Sequence, residues 1–430
     1  MHSLGQKATF GLLKRVNAKL FCVLKHRDFG REKLMSVLQR VGAIVLTALS
    51  FGGVCAAQAF QHPGVLVSGP QLDFVKAQVK AKAEPFYSEY QKAVASEYGE
   101  LDYQLKGPPP TGIVDCGPYS HPDNGCHAED ADASAAYLQA VLWYISGDHR
   151  YAENAIRIAN AYAHNLRDYT GSNAPLQSAW SGEMWPRSAE ILRYSKAGWK
   201  PEDIAAFSTM LTKVILPHIY NGSGSNGNWE LSMIDAMTGI AVFTDDHALL
   251  KHAETMWLQR VPSYFYNSAL DGPHPRPLPR ASGGTSWYGT TDLNASVDGM
   301  AQETCRDLGH TSYGISSTMA AAETSHIQGG KLYEAEKKRL VPALEFHAHL
   351  LLRKDPVPAL VCGGAVHYAE GATFVVGYNE YHNRLGVPLP QTKEWIEQHV
   401  EQYPVPVDMH MMVFEPLTHG ADVSSVKKTR

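Results

Sequence analysis

Cysteine is scarce and charge is thin: the 430 residues hold six cysteines, and 19% are Asp, Glu, Lys or Arg. No CxxC pair, HExxH string or Asp-rich calcium loop occurs, so the common zinc and calcium spacings are missing and no metal is placed. No apolar run reaches the roughly 18 residues that a membrane-spanning helix needs. Strand-type alternation is weak throughout, which argues against a sandwich or barrel of strands. Gly and Pro content is ordinary, which excludes collagen-like and low-complexity chains. What remains, at 44% hydrophobic residues, is a globular chain long enough for one large domain or two ordinary ones.

The N-terminus reads differently from the rest. Met35-Ser-Val-Leu-Gln-Arg40 is basic, Val41 to Leu49 is apolar, and Ala57-Gln58-Ala59 is a small-x-small site. Together they predict a secretory signal ending at Ala59, so residues 1–59 are an extension plus signal and the mature protein is secreted or periplasmic. Cys55 follows Val54 rather than a small residue, which speaks against a lipid anchor, so no membrane anchor is expected after cleavage. With the nine Lys/Arg and two Asp/Glu of residues 1–59 set aside, 29 basic residues face 41 acidic ones, a net of −12. Nucleic acid is excluded as a partner, because its binding rests on phosphate neutralisation. An anionic substrate requires a local cationic cleft instead. Four cysteines remain, and an even number in an exported chain favours two disulfides. Cys116 and Cys126 bracket a Gly/Pro/Asn-rich loop and form the local pair, leaving Cys305 for Cys362.

Helical periodicity dominates from Phe74 onward. The spacing predicts helices over 74–98, from a cap at Asp130 or Asp132 to Ile145, and over 151–166. Further helices are predicted from Trp185-Pro186 to Tyr194, over 201–216, from Trp229, over 248–259, 331–353, 374–385 and 392–402, with a frayed tail at 421–430. Gly147-Asp-His-Arg-Tyr-Ala-Glu-Asn-Ala155 and Asp245-Asp-His-Ala-Leu-Leu-Lys-His-Ala253 align, each placing an acidic turn between two helices. Repeated helix–turn–helix pairs over such a length imply an all-α solenoid or a closed ring of hairpins, with long Gly-rich loops converging at one end.

Four stretches carry chemistry. Asp298 to Tyr313 concentrates carboxylates, Arg306, His310 and Tyr313; read as a helix, it puts Glu303 and His310 on one face with Arg306 one turn from each. Trp180, Trp185 and Arg187 lie in Ala179 to Arg187 and suit stacking on sugars and pairing with a carboxylate. Asn226-Gly-Asn-Trp-Glu230 opens a helix, where an amide can cap the helix or polarise a carboxyl group. In Tyr378-Asn-Glu-Tyr-His-Asn-Arg384, Tyr378 and His382 share one helical face and Tyr381 and Arg384 another. His347 and His349 diverge on their helix and are poor metal partners. Asn221-Gly-Ser and Asn294-Ala-Ser match the glycosylation acceptor pattern.

Taken in order, Cys116 to Asp130, Asn173-Ala-Pro-Leu-Gln-Ser-Ala-Trp180, Asn226 to Met233, Gln302-Glu-Thr-Cys-Arg-Asp-Leu-Gly-His310 and Tyr378 to Arg384 resemble the helical alginate-lyase-like polysaccharide lyases. The resemblance covers about residues 110 to 420, within a domain running from 60 to 420. It implies an (α/α) toroid or incomplete barrel, export, and β-elimination on an anionic uronate polysaccharide with no cofactor. By the same resemblance, His310 and Asn228 neutralise the substrate carboxylate, and Glu303 orients the histidine. Tyr378 is then the base, its pKa lowered by Arg306 or Arg384, with Tyr381 and Tyr313 open as alternatives. Trp180, Arg187, Tyr381, His382, Trp229 and Arg384 would contact substrate. One departure stands out: Trp229 follows Asn228 where the better-known periplasmic enzymes carry a histidine, which shifts weight onto His310 and leaves alginate and glucuronan-like polymers equally open. Two other classes fit the composition: an inverting glycoside hydrolase using Glu303 and Glu183, and a non-catalytic glycan-binding protein.

Overall fold

The computed structural model describes residues 59–224, 227–277, 287, 296–369, 371–402, 410 and 414–424, all belonging to one unit, Ala59–Arg430. The signal sequence up to Gln58, Asn226 and Asn294 lie outside the described residues. Helices α1 (Gly69–Lys80) and α2 (Phe86–Ala95) lead to strands β1 (Ile113–Cys116) and β2 (Asp123–Asn124). Then come α3 (Cys126–Ser146), α4 (His149–Asn165), β3 (Asp168–Thr170), α5 (Ala174–Tyr194), α6 (Pro201–Met210) and, after a π-turn, α7 (Leu216–Ile219). The chain continues through α8 (Trp229–Phe243), α9 (His247–Tyr264), α10 (Ser268–Asp271), α11 (Leu308–Ile327) and α12 (Leu332–Leu352). It closes with α13 (Val375–Tyr378, extended by a π-turn to Arg384), α14 (Pro390–Gln402) and α15 (Glu415–His419).

The long helices form two layers. Inner helices α3, α5, α8 and α11 pack side by side in that order; α4, α9 and α12 back them from outside. The ring returns through α13, α15, α1 and α2 to α3. This is an all-α, (α/α) toroid. The division follows from composition: α8 and the alanine-rich α3 are buried nearly all round, whereas α4 keeps only one buried stripe of Tyr151, Ala152, Ala155, Ile158, Ala159 and Tyr162. At Gly239 a Cβ would come within 3.0 Å of the Pro186 ring, so α5 and α8 approach more closely there than side chains allow.

Several helix starts differ from the periodicity. Helix α3 begins at Cys126, capped by Asp123, which accepts from the Cys126 N–H at 2.9 Å. Asp132 is instead buried inside it, accepting from Tyr103, Tyr162 and the 106–107 backbone. Helix α5 starts eleven residues before Trp185 and runs through Pro186. Packing against α3 and α8 outweighs the roughly 3 kcal/mol that an interior proline costs. The tail is anchored in its first part: Asp422 is buried and bonds Arg384 at 2.6 Å, and its remainder lies outside the described residues. Both disulfides are present, Cys116–Cys126 and Cys305–Cys362. The first ties β1 of a small β2-β1-β3 sheet to the start of α3. No described helix is long and apolar enough to cross a membrane.

Candidate active site

Early residues of the four inner helices meet at one end of the ring, around a cleft of about 680 Å³. His127, Asp130 and Ser134 come from α3, Leu176 and Trp180 from α5, Trp229 from α8, and His310 and Tyr313 from α11. Asn173, Asn228 and Arg306 sit just before three of those helices, and Pro118 and Ser120 belong to the disulfide-closed loop. Helix N-termini carry partial positive charge, so their convergence favours an anionic ligand. The lining side chains add Lys106, Arg306 and three imidazoles against one carboxylate, Asp130. The cleft thus presents basic and imidazole groups, with Arg306, His127, His310 and His410 each held by a carboxylate: Glu303, Asp123, Asp307 and Glu183.

Behind the cleft wall lies Glu303, fully buried. It accepts from Asn228 Nδ2 at 3.1 Å, Tyr264 Oη at 2.9 Å and Arg306 Nη1 at 3.0 Å. Three donors compensate one buried carboxylate and orient the Asn228 amide, whose buried Oδ1 has no hydrogen-bond partner among the described residues. Asn228 occupies the N-cap position of α8 but makes no cap bond. The loop before it is clamped: Arg260 Nη2 donates to Gly227 O and to Gln302 Oε1, both at 2.6 Å, and the Gly227 N–H donates to the same Gln302 oxygen at 2.9 Å.

The 298–307 segment is a turn rather than helix, and α11 begins only at Leu308. Glu303 therefore points into the core and does not reach His310. Asp307 orients His310 instead, capping α11 through the His310 N–H at 2.7 Å and holding Nδ1 at 2.6 Å. Burial alone would raise the Asp307 carboxyl, but the His310 hydrogen bonds and the charges of His310 and Arg306 hold it below the usual range. His347 pins the same turn: its Nδ1 faces Ala343 O at 2.8 Å and its Nε2 faces Thr304 Oγ1 at 2.9 Å. A carbonyl only accepts, so Nδ1 carries the proton and Nε2 receives the threonine hydroxyl. Burial keeps this imidazole neutral, with its pKa down at about 4. The Cys305–Cys362 bridge and the Leu308 N–H to His367 O bond fix the turn from the other side.

The structure separates the remaining named residues. Tyr313 stands in the cleft, with its ring 5.6 Å from Trp180 and 6.1 Å from His310. Tyr378 lies elsewhere, stacked on His382 and near Glu345 and Glu397; burial and those carboxylates push its pKa up to about 12, opposite to what a base needs. Arg384 is bound to Glu323, Glu380 and Asp422, far too engaged to serve Tyr378 or a substrate. Tyr381 is wholly buried, donating to Tyr333 O, and His382 bonds Val387 O. Arg187 is buried against Asp235 at 2.6 Å; burial raises that carboxyl although Arg187 pulls it down. Glu183 is buried too, accepting from Ser317 and facing His410, so neither Glu183 nor Glu303 offers a carboxylate to the cleft. His410 and Lys106 line the cleft without a spacing signal in the sequence; Asp307 and Tyr313 sat in the chemistry-rich stretch, but only the turn before α11 reveals their roles as orienting acid and cleft phenol. Among the described residues no group of three or more His, Cys, Asp or Glu has a metal-holding arrangement.

The fold is an (α/α) toroid of helical hairpins with a cleft at the N-termini of its inner helices. The profile of the alginate lyase family matches residues 81–357, and the chain belongs to that family. It is a polysaccharide lyase. Alginate lyase A1-III from Sphingomonas species A1 shares the fold at 13% identity and a TM-score of 0.55, covering 78% of this chain and 91% of that one. An alginate lyase from Bacteroides ovatus aligns at 15% identity and a TM-score of 0.46 over 67% of this chain and 84% of that one. No curated protein sequence matches.

Proposed function

We propose that the cleft cleaves a uronate polysaccharide by β-elimination, leaving a 4,5-unsaturated sugar at the new end. The reaction removes the proton at C5, forms the C4–C5 double bond and breaks the C4–O4 bond, with a proton delivered to O4. An ionised C6 carboxylate leaves the C5 proton too weakly acidic, so donors must take up the charge that develops there. The supporting observation is the grouping of Asn228, Arg306, His310 and Tyr313 on one wall, at the positive ends of α8 and α11. Arg306, His310 and the Asn228 amide receive the carboxylate. Tyr313 takes the C5 proton and returns a proton to O4. Glu303 and Asp307 act through these groups by holding Asn228, Arg306 and His310 in place.

The two disulfides favour an oxidising compartment, in keeping with an exported enzyme acting on a polymer outside the cytoplasm. The test is a panel of polyuronates, alginate and glucuronan among them, followed by ultraviolet absorbance of the new double bond and by product mass. Unsaturated products from the wild type and none from Tyr313→Phe are expected. New reducing ends without the absorbance would make the protein a hydrolase and refute this reading.

A further inference from the structure

The cleft holds a histidine that this chemistry leaves unused. His410 comes from a segment 227 residues beyond its partner Glu183, whose Oε2 lies 3.3 Å from His410 Nδ1. Its ring stands 5.2 Å from Trp180, inclined at 30°, and 6.4 Å from Tyr313, edge-on at 71°. Glu183 is itself fixed from two further helices: its Oε1 accepts from Ser317 Oγ at 2.7 Å, and Ser317 Oγ lies 3.1 Å from Ser232 Oγ. The contact with Glu183 and the packing on Trp180 set the plane of the imidazole. Among the described residues, Asp235 on α8 and Tyr313 on α11 are further titratable groups nearby, and Arg187 on α5 interacts with both Glu183 and Asp235.

Two carboxylate-held imidazoles thus flank Tyr313, and their surroundings differ. His310 stands 6.1 Å from the tyrosine ring and shares Asp307 with Arg306. His410 stands against the indole of Trp180. In a polyuronate every sugar carries a carboxylate, and the sugar beside the one losing its C5 proton must bring its own charge into the cleft. Desolvating that charge without a partner is costly. An aromatic face next to a fixed imidazole supplies both an apolar platform and a polar partner.

We propose that His410 and Trp180 form a specificity subsite for the sugar neighbouring the cleaved unit, with His410 bonding that sugar's carboxylate and Glu183 serving as its positioning residue. The inference rests on the lyase reading above. Its test is steady-state kinetics of His410→Phe, His410→Gln and Glu183→Gln on a polyuronate that the wild type cleaves. The Phe variant keeps a ring against Trp180 and loses the N–H; its KM should rise about tenfold with kcat within about threefold, the size of one charged hydrogen bond. The Gln variant keeps a donor and should recover most of that loss. Glu183→Gln leaves the imidazole in place but loosely held, and should raise KM several-fold; it carries the test where His410→Phe does not fold, as judged by circular dichroism. Unchanged KM in both His410→Phe and Glu183→Gln, or a loss in kcat alone, overturns the subsite. A wild type that forms no unsaturated product on any polyuronate refutes the lyase reading, and the subsite falls with it.

Discussion

Gly227→Ala is expected to damage the cleft from behind, without touching any residue that faces substrate. Gly227 has φ +90°, and a Cβ there would meet Glu303 Oε1 at 2.3 Å and Cδ at 2.5 Å. The backbone conformation alone costs alanine about 1–2 kcal/mol. Glu303 must also move, and it holds Asn228, Tyr264 and Arg306; weakening charged hydrogen bonds in a buried site adds roughly 3 kcal/mol. Gly147→Ala is the control, because Gly147 also has positive φ (+73°) yet nothing lies within 4 Å of its added Cβ. Urea denaturation should therefore place Gly227→Ala about 3 kcal/mol below Gly147→Ala. Displacing Asn228 and Arg306 by an ångström should lower kcat/KM by about 100-fold, whereas Gly147→Ala keeps wild-type activity. Equal stability of the two variants, with activity retained in both, would refute the account of Glu303 as the strut of the cleft wall.

Other expectations follow from the same geometry. Tyr313→Phe should lower kcat by at least about 100-fold, the lower end of what positioned acid–base groups contribute, whereas Tyr378→Phe should stay within about threefold; the reverse order in a turnover assay would restore Tyr378 as the base. His347 has a folded pKa of about 4 against about 6.5 unfolded, so the unfolded chain binds more protons between these values and the contribution is present above pH 6.5 and lost as pH falls toward 4. The stability advantage of the wild type over His347→Gln should accordingly shrink by roughly 2–3 kcal/mol between pH 7 and pH 4.5, and a constant difference would contradict the neutral imidazole. Replacing Cys305 and Cys362 together by serine should cost about 4 kcal/mol in oxidised protein, given a separation of 57 residues. It should also lower activity, because the turn before α11 loses an anchor; denaturation midpoints with and without reductant check this.

The amino-acid sequence by itself determined the all-α class and a chain of helical hairpins, because helical periodicity and the repeated acidic turns are local properties that each helix carries alone; whether the hairpins form an open solenoid or a closed ring was decided by the packing of α11, α13, α15 and α1 back onto α3. It also determined the disulfide pairing, since four cysteines and one short loop leave little choice. Which aromatic and cationic residues meet in the cleft was decided only by the tertiary structure. Tyr378 and Tyr313, or Arg384 and Arg306, are equivalent as residue types; packing leaves Tyr378 half-buried against His382, near Glu345 and Glu397 and away from the cleft, and three carboxylates engage Arg384. A turn at 301–306, held by His347, the Cys305 bridge and Arg260, turns Glu303 inward and leaves Asp307 to orient His310. Such a turn has no periodicity to read, because long-range contacts stabilise it. His410 is the clearest case: its partner lies 227 residues away, and only closure of the ring brings the two together.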